Sequence, residues 1–340
     1  MLATLFSAEA QEVKNIIYFI GDGMGLTSVS MMQLENNYEA TIFDEADNIA
    51  LQKTYSLDNR VTDSAASGTA LATGFKTNNT MLGQLPDGTK VESLMELAST
   101  KGMATGIVVT TYLQHATPAA FYAHVPSRNE YATISEQLLA SDIDIAIGGG
   151  MAFFEERYGS NEKARQAIAE SGFTLQESLE SCNSGNRELV LLADKEVENR
   201  RGYLAEATAE AIDHLSSCEE GFVLMVEGSL IDGMGHANNA AGQQEEMLDF
   251  MEAIAVAVEF AEQNPGTLVV VTSDHETGGL AIISGNADFN LSEQGVAYTW
   301  STNGHSATMV PIYLYGTGAE LINGVMENAD LGQRLKELIQ

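Results

Sequence analysis

Thr267-Leu268-Val269-Val270-Val271-Thr272-Ser273-Asp274-His275-Glu276-Thr277-Gly278-Gly279 sets a carboxylate and an imidazole directly behind an unbroken apolar run. Such a run, short and rich in β-branched residues, predicts a strand covered on both faces. Five further runs share this character, at residues 15–20, 105–109, 144–147, 222–226 and 310–315. Amphipathic stretches lie between them. In residues 243–263, Met247, Phe250, Met251, Ile254 and Val258 recur at helical spacing. Residues 91–99, 131–140, 162–171 and 203–215 also read as helices. The alternation predicts an α/β protein, a three-layer α/β/α sandwich around a central, largely parallel sheet. In such sheets ligands bind beyond the carboxyl ends of the strands.

Chemistry-bearing residues gather at those ends. Gly21-Asp22-Gly23-Met24-Gly25 follows the first strand, and Glu227-Gly228-Ser229-Leu230-Ile231-Asp232-Gly233-Met234-Gly235-His236 follows the run at 222–226. Gly304-His305-Ser306 precedes the last run. Glycine lets the backbone turn sharply at such points. The G-x-G-x-G of residues 21–25 departs from the dinucleotide-binding spacing, and Asp22 suits either a turn or a ligand role. Asp232 and His236, four apart, suit a structural pair or two ligands of one metal. Three Asp, one Glu and three His together suit more than one divalent ion, zinc by mixed His/Asp donors and magnesium by carboxylate with hydroxyl.

Val61-Thr62-Asp63-Ser64-Ala65-Ala66-Ser67-Gly68-Thr69-Ala70 reads as a helix start, with Asp63 or Ser64 as cap. The same geometry suits catalysis. A serine at a helix N-terminus faces free backbone N–H groups where a phosphate would sit, and a metal ion would make it nucleophilic.

Composition narrows the function. The 340 residues carry 16 Lys+Arg against 48 Asp+Glu, a net charge of −32. That field repels nucleic-acid backbones, but a metal ion or one placed Arg can still invert the local potential for a small anion. No run is long and apolar enough for a transmembrane helix. The surface charge predicts solubility in salt, and 31 Gly against 5 Pro suits a flexible, cold-adapted chain. Met1 to Gln11 resembles the tail of a secretory signal, with an A-x-A pattern at Ala8-Glu9-Ala10, which predicts an exported protein, periplasmic or secreted. Cys182 and Cys218 are the only cysteines, and a bridge or two free thiols are both open. His124, His214 and Trp300 read as structural residues, His214 on a predicted surface helix.

At these motifs the chain resembles the metal-dependent bacterial alkaline phosphatases. Asp63-Ser64-Ala65-Ala66 is similar to their nucleophile motif. Gln114-His115-Ala116-Thr117-Pro118-Ala119-Ala120, followed by Ala123 to Arg128, is similar to their metal-and-arginine motif. Glu227-Gly-Ser-x-Ile-Asp232-x-x-x-His236, Thr-x-Asp274-His275 and Gly304-His305 complete the set in family order. The resemblance implies residues 1–12 as a signal remnant or disordered N-terminus and residues 13–340 as one catalytic domain. It implies two Zn2+, one held by Asp232, His236 and His305, the other by Asp22, Asp274 and His275 with Ser64 as exchangeable ligand. One Mg2+ would join Asp22, Thr117 and Glu227. Arg128 would grip the substrate phosphate, and Asp63 would orient backbone N–H groups or Arg128. The implied activity is hydrolysis of phosphate monoesters of broad specificity through a phosphoserine, by a homodimer.

Two positions depart from the family pattern. His115 stands where some members carry Asp, which bears on the third metal. Gly233 stands where many carry Lys, His or Trp, which would loosen the hold on phosphate. A phosphodiesterase or another hydrolase of the superfamily is the alternative. A sulfatase would need x-Pro-x-Arg after the nucleophile, and Ala65-Ala66-Ser67-Gly68 lacks it.

Overall fold

The computed structural model describes residues 12–182, 186–197, 201–284 and 296–339. The A-x-A pattern at residues 8–10 lies outside them. In chain order the first strands are β1 (Asn15–Gly21), β2 (Asn48–Lys53), β3 (Ala104–Tyr112), β4 (Ile145–Gly149), β5 (Thr174–Gln176), β6 (Glu188–Ala193) and β7 (Phe222–Gly228). They continue as β8 (Thr267–Thr272), β9 (Glu276–Thr277), β10 (Leu280–Ser284), β11 (Val296–Trp300), β12 (His305–Ser306), β13 (Val310–Gly316) and β14 (Gly324–Glu327). Ten of these form one sheet in the order β14-β2-β13-β8-β1-β7-β3-β4-β6-β5. All six strands expected from apolar runs are in it. Only β13 runs antiparallel to its neighbours, β8 and β2.

Alternate residues of β1 build the two cores. Ile16, Tyr18 and Ile20 pack with the helices Ser64–Thr73, Leu94–Thr100, Tyr131–Ala140 and Asn328–Leu338. Ile17 and Phe19 pack with Leu26–Glu35, Tyr203–Leu215 and Ala240–Gln263 on the other side. Period-two alternation in a strand covered twice makes both sets apolar, hence the continuous run. Each fully buried Ile or Phe of this kind contributes about 1.5–3 kcal/mol.

One smaller expectation changes and one open alternative closes. His214 is not on a surface face: with Ala207 and Ala211 it recurs at spacings of four and three, on the buried stripe of its helix, and is only 7% exposed. Cys182 and Cys218 are free thiols. His124 is structural as expected, held between the Gly83 carbonyl at 2.7 Å and the Glu96 carboxylate at 2.8 Å. Trp300 packs against the second core.

Strand order decides what meets at the carboxyl edge. β8, β1, β7 and β3 are consecutive neighbours, all parallel. Asp274-His275 follow β8, Asp22 follows β1, Glu227 ends β7, and His115 and Thr117 follow β3. Residues far apart in the chain thus arrive within one cleft.

Candidate active site

Ser64 opens the ten-residue helix Ser64–Thr73, and Asp63 caps it, its Oδ1 accepting from the Ala66 N–H at 3.0 Å. The cap fixes the helix start, so the serine side chain points off its first turn. Ser64 is buried, and its Oγ lies 3.2 Å from His275 Nε2. The other Asp63 oxygen accepts from the Thr80 N–H at 3.0 Å and from Arg128 Nη1 at 3.4 Å. Asp63 thus contacts both backbone N–H groups and Arg128.

Three groups of donors surround this serine, each with its ligand atoms within 4.8 Å of one another: Asp232, His236 and His305; Asp22, Asp274 and His275; and Asp22, Glu227 and His115. Thr117 Oγ1 lies 3.4 Å from Asp22 Oδ2, beside the third group. Every expected ligand is brought in, and His115 joins the third group directly. The turn after β1 needs Gly23, whose φ of 78° aims its N–H at Asp274 Oδ1, 3.2 Å away. A Cβ there would sit 2.7 Å from Asp232 Cα, so glycine alone lets the first two groups approach. Gly233 is exposed, and an added Cβ would meet only Leu230 Cδ2 at 3.9 Å.

Histidine tautomers follow from the partners. His236 Nδ1 faces the Asn303 carbonyl and His305 Nδ1 the Thr62 carbonyl at 2.8 Å, so both nitrogens are N–H donors. In the neutral rings their Nε2 atoms, 3.3 Å apart, then meet as two lone pairs beside the Asp232 carboxylate; without a cation between them, a proton on His236 Nε2 bonds Asp232 instead. The Thr277 hydroxyl donates to ionised Asp232, so it can only accept from His275 Nδ1 at 3.2 Å. His275 Nε2 is thereby also left as a lone pair. Carbonyls and hydroxyls behind imidazoles are the usual support of metal-binding histidines.

The donor set fits divalent cations. Asp22 Oδ1, Asp274 Oδ2, Glu227 Oε1 and His115 Nδ1 are buried polar atoms with no hydrogen-bond partner. Paired lone pairs and orphaned carboxylate oxygens at such density need positive charge between them. The electrostatics agree. Burial, then the neighbouring Asp274, Asp232 and Glu227 carboxylates, raise the Asp22 carboxyl well above its usual range. Burial pushes Glu227 up to about 8 and, with Asp232, pushes Asp274 up to about 7. Burial alone would raise Asp232 too, but His236, His275 and His305 hold it below the usual range. Its hydrogen bond to Asp232 lifts His236 to about 9. Burial and the Arg128 charge push His115 down to about 3.

A sequence model of the family named Alkaline phosphatase matches residues 13–294. The chain belongs to the alkaline phosphatase family. That makes it a phosphomonoesterase by class, in a metal-dependent family. It is 36% identical to Alkaline phosphatase 4 of Bacillus subtilis (strain 168) over 80% of this chain, and it spans 63% of that relative's length. It is 31% identical to the alkaline phosphatase of Escherichia coli (strain K12), covering 97% of this chain and 87% of the other. The solved alkaline phosphatase from the Antarctic bacterium TAB5 superposes with a TM-score of 0.90 at 36% identity, covering 97% of this chain and 99% of that one. A TAB5 variant with aspartate in place of one histidine has Mg bound in its M3 site, and superposes with a TM-score of 0.90 at 35% identity.

Within this phosphatase fold, four supporting residues escaped the sequence reading. Thr277 stands two residues after His275, and its hydroxyl was a legible hint. Ser229 donates to Glu227 Oε2 at 2.6 Å from within a quoted motif. Asn303 and Thr62 act through backbone carbonyls, which no residue type announces.

Proposed function

We propose that the chain hydrolyses phosphate monoesters of broad specificity through a phosphoserine at Ser64. Zinc would be held by Asp232, His236 and His305 and by Asp22, Asp274 and His275; magnesium would be held by Asp22, Thr117 and Glu227. The observation that carries this is the Ser64 hydroxyl at the helix N-terminus, 3.2 Å from His275 Nε2. When bound, two zinc ions would favour the serine alkoxide and a hydroxide and would offset charge on the departing oxygen.

The chain's own residues do the rest. Arg128, braced by Asp63 and His115, offers its planar fork to two non-bridging phosphate oxygens. Backbone N–H groups of the capped helix face the same anion. Ser64 Oγ attacks phosphorus in line; the Oγ–P bond forms as the bond to the alcohol oxygen breaks, and the alcohol leaves with a proton. Water then attacks from the vacated side, the Oγ–P bond breaks, and Ser64 regains its hydroxyl as inorganic phosphate departs. Thr277 keeps the His275 ring and the Asp232 carboxylate aligned throughout.

Arg128 favours a monoester over a diester, because a diester has one fewer charged oxygen for the fork. The test is release of nitrophenol from mono- and bis-p-nitrophenyl phosphate at alkaline pH, with chelator and then with zinc and magnesium restored. Fast monoester turnover, lost to chelation and recovered with zinc, is expected. Preference for the diester would move the chain to a sister activity, and no turnover of either would leave a phosphate-binding protein.

We further propose an exported homodimer, periplasmic or secreted, suited to saline or cold surroundings. The A-x-A pattern and the charge of −32 support export and salt tolerance. Among the described residues no helix is long and apolar enough to cross a membrane.

A further inference from the structure

The turn that carries Asp274 and His275 is held by its carbonyls. Gln52 Nε2, on β2, donates to the Ser273 carbonyl at 2.7 Å and to Thr272 Oγ1 at 2.7 Å. Ser67 Oγ donates to the Asp274 carbonyl at 2.6 Å, and Ser273 Oγ to the His275 carbonyl at 2.6 Å. Three successive carbonyls are thus tied by buried side chains. Of these, Ser67 belongs to the nucleophile's helix, one turn after Ser64.

A serine hydroxyl has a single proton. Since Ser67 gives it to Asp274, its oxygen can only accept from its next partner, Asn328 Nδ2 at 3.0 Å. Asn328 is the first residue of the C-terminal helix Asn328–Leu338 and is 1% exposed. Two other contacts hold its amide the same way round: Oδ1 accepts from the Ala329 N–H at 3.0 Å, and Nδ2 donates to the Thr54 carbonyl at 3.4 Å. Donation therefore runs in one direction, from the C-terminal helix through the nucleophile's helix to the metal-binding turn. The two helices also meet at the backbone, since a Cβ on Gly332 would sit 2.5 Å from the Ala70 carbonyl oxygen.

We infer that Ser67 and Asn328 are positioning residues that lock Asp274 to the helix of Ser64 and make the C-terminal helix part of the active-site frame. This rests on the phosphatase reading and goes beyond it, because neither residue ligates a metal or meets substrate. Asp274 Oδ1 is committed to the Gly23 and His275 N–H groups. Its free Oδ2 is then aimed by where the Asp274 backbone is pinned. Ser67 supplies that pin from the nucleophile's own helix, and Asn328 fixes which way the Ser67 hydroxyl points. Loss of either lets Asp274 and Ser64 shift relative to each other.

The experiment uses the metal-loaded protein with Ser67→Ala, Asn328→Ala and both together; alanine suits the helix at position 67. Lys336→Met is the control. Lys336 Nζ donates to the Glu92 carbonyl at 2.7 Å, so it anchors the far end of the same helix without touching the chain of donors. Competition with a chromogenic chelator gives the zinc affinities, and p-nitrophenyl phosphate gives kcat and KM. Ser67→Ala should weaken one of the two zinc ions about 10-fold and lower kcat with little change in KM; Asn328→Ala should do the same by about 3- to 10-fold. The double variant should match Ser67→Ala within about twofold, because both substitutions cut one chain. Lys336→Met should lower the melting temperature and leave the zinc affinities unchanged. Additive losses in the double variant would overturn the inference, as would a zinc loss in Lys336→Met equal to that in Asn328→Ala. So would zinc affinities that no variant moves. If the wild type binds no zinc and hydrolyses no monoester, the phosphatase reading has failed, and amide exchange over residues 272–276 decides the rest. Faster exchange in Ser67→Ala and Asn328→Ala than in Lys336→Met would support the lock, and equal exchange would overturn it.

Discussion

The His305 ring lies flat on the His275 ring, their centroids 3.5 Å apart and their planes 19° apart. One imidazole belongs to each of the two proposed zinc groups, so the groups share a wall. His305 is also tied through Nδ1 to the Thr62 carbonyl, two residues before Ser64. The nucleophile's helix start and both groups therefore form one rigid unit, and changes in any part should be felt in the others.

Thr277 is where that coupling is most open to test, because it supports a ligand in each group and ligates neither. Thr277→Val should weaken zinc binding about 10- to 100-fold, the usual effect of losing such support. Thr277→Ser, which keeps the hydroxyl, should restore most of it. Competition with a chromogenic chelator measures both, and equal affinities in the Val and Ser variants would remove Thr277 from the relay.

Ser64→Ala should leave the metal groups intact and abolish the phosphoenzyme. Turnover of p-nitrophenyl phosphate should drop roughly 10³- to 10⁶-fold, as for other nucleophiles that act as part of a unit. Rapid-quench labelling with radioactive phosphate is the check, and residual labelling in the variant would point to another nucleophile.

Metal removal should destabilise the fold as well as silence it. Each site at 1,000 times its Kd contributes about 4 kcal/mol that chelation takes away. The metal-free protein should also lose stability as pH rises from 6.5 to 8. Glu227, with an ordinary value of 4.5, is pushed up to about 8 by burial in the fold. A group whose folded value is raised contributes stability below its unfolded value and loses it as pH climbs through the folded one. Glu227→Gln should flatten that slope in thermal melts. A metal-free melting temperature that climbs over the same range would contradict the burial of uncompensated carboxyls.

Gly233 leaves open space beside Asp232, with no atom nearer than 3.9 Å to an added Cβ except in its own turn. Gly233→Lys should lower the inhibition constant of phosphate about 2- to 5-fold, the scale of one exposed ion pair. An unchanged constant would place position 233 outside the reach of the bound anion.

A chain with net charge −32 repels itself, and salt screens that repulsion. The melting temperature of the metal-loaded protein should rise between low and molar sodium chloride. A flat response would make the acidity incidental to where the protein works.

Local patterning was enough to assign the architecture and to collect the ligands. The six apolar runs announced doubly covered strands because a parallel sheet between helix layers leaves no polar face, and the segments flanking those runs held the expected donors. Strands β2, β5 and β14 left no such signal, because they are short or mixed in polarity, whereas β6 carries an apolar run from Leu189 to Ala193 that the sequence reading passed over. What one chain segment cannot encode is who stands across the cleft. That His115 faces Arg128 rather than open solvent, that His214 lies on a buried stripe, and that Thr277 spans two groups all follow from strand order and helix rotation, which are set by burying both faces of the sheet at once.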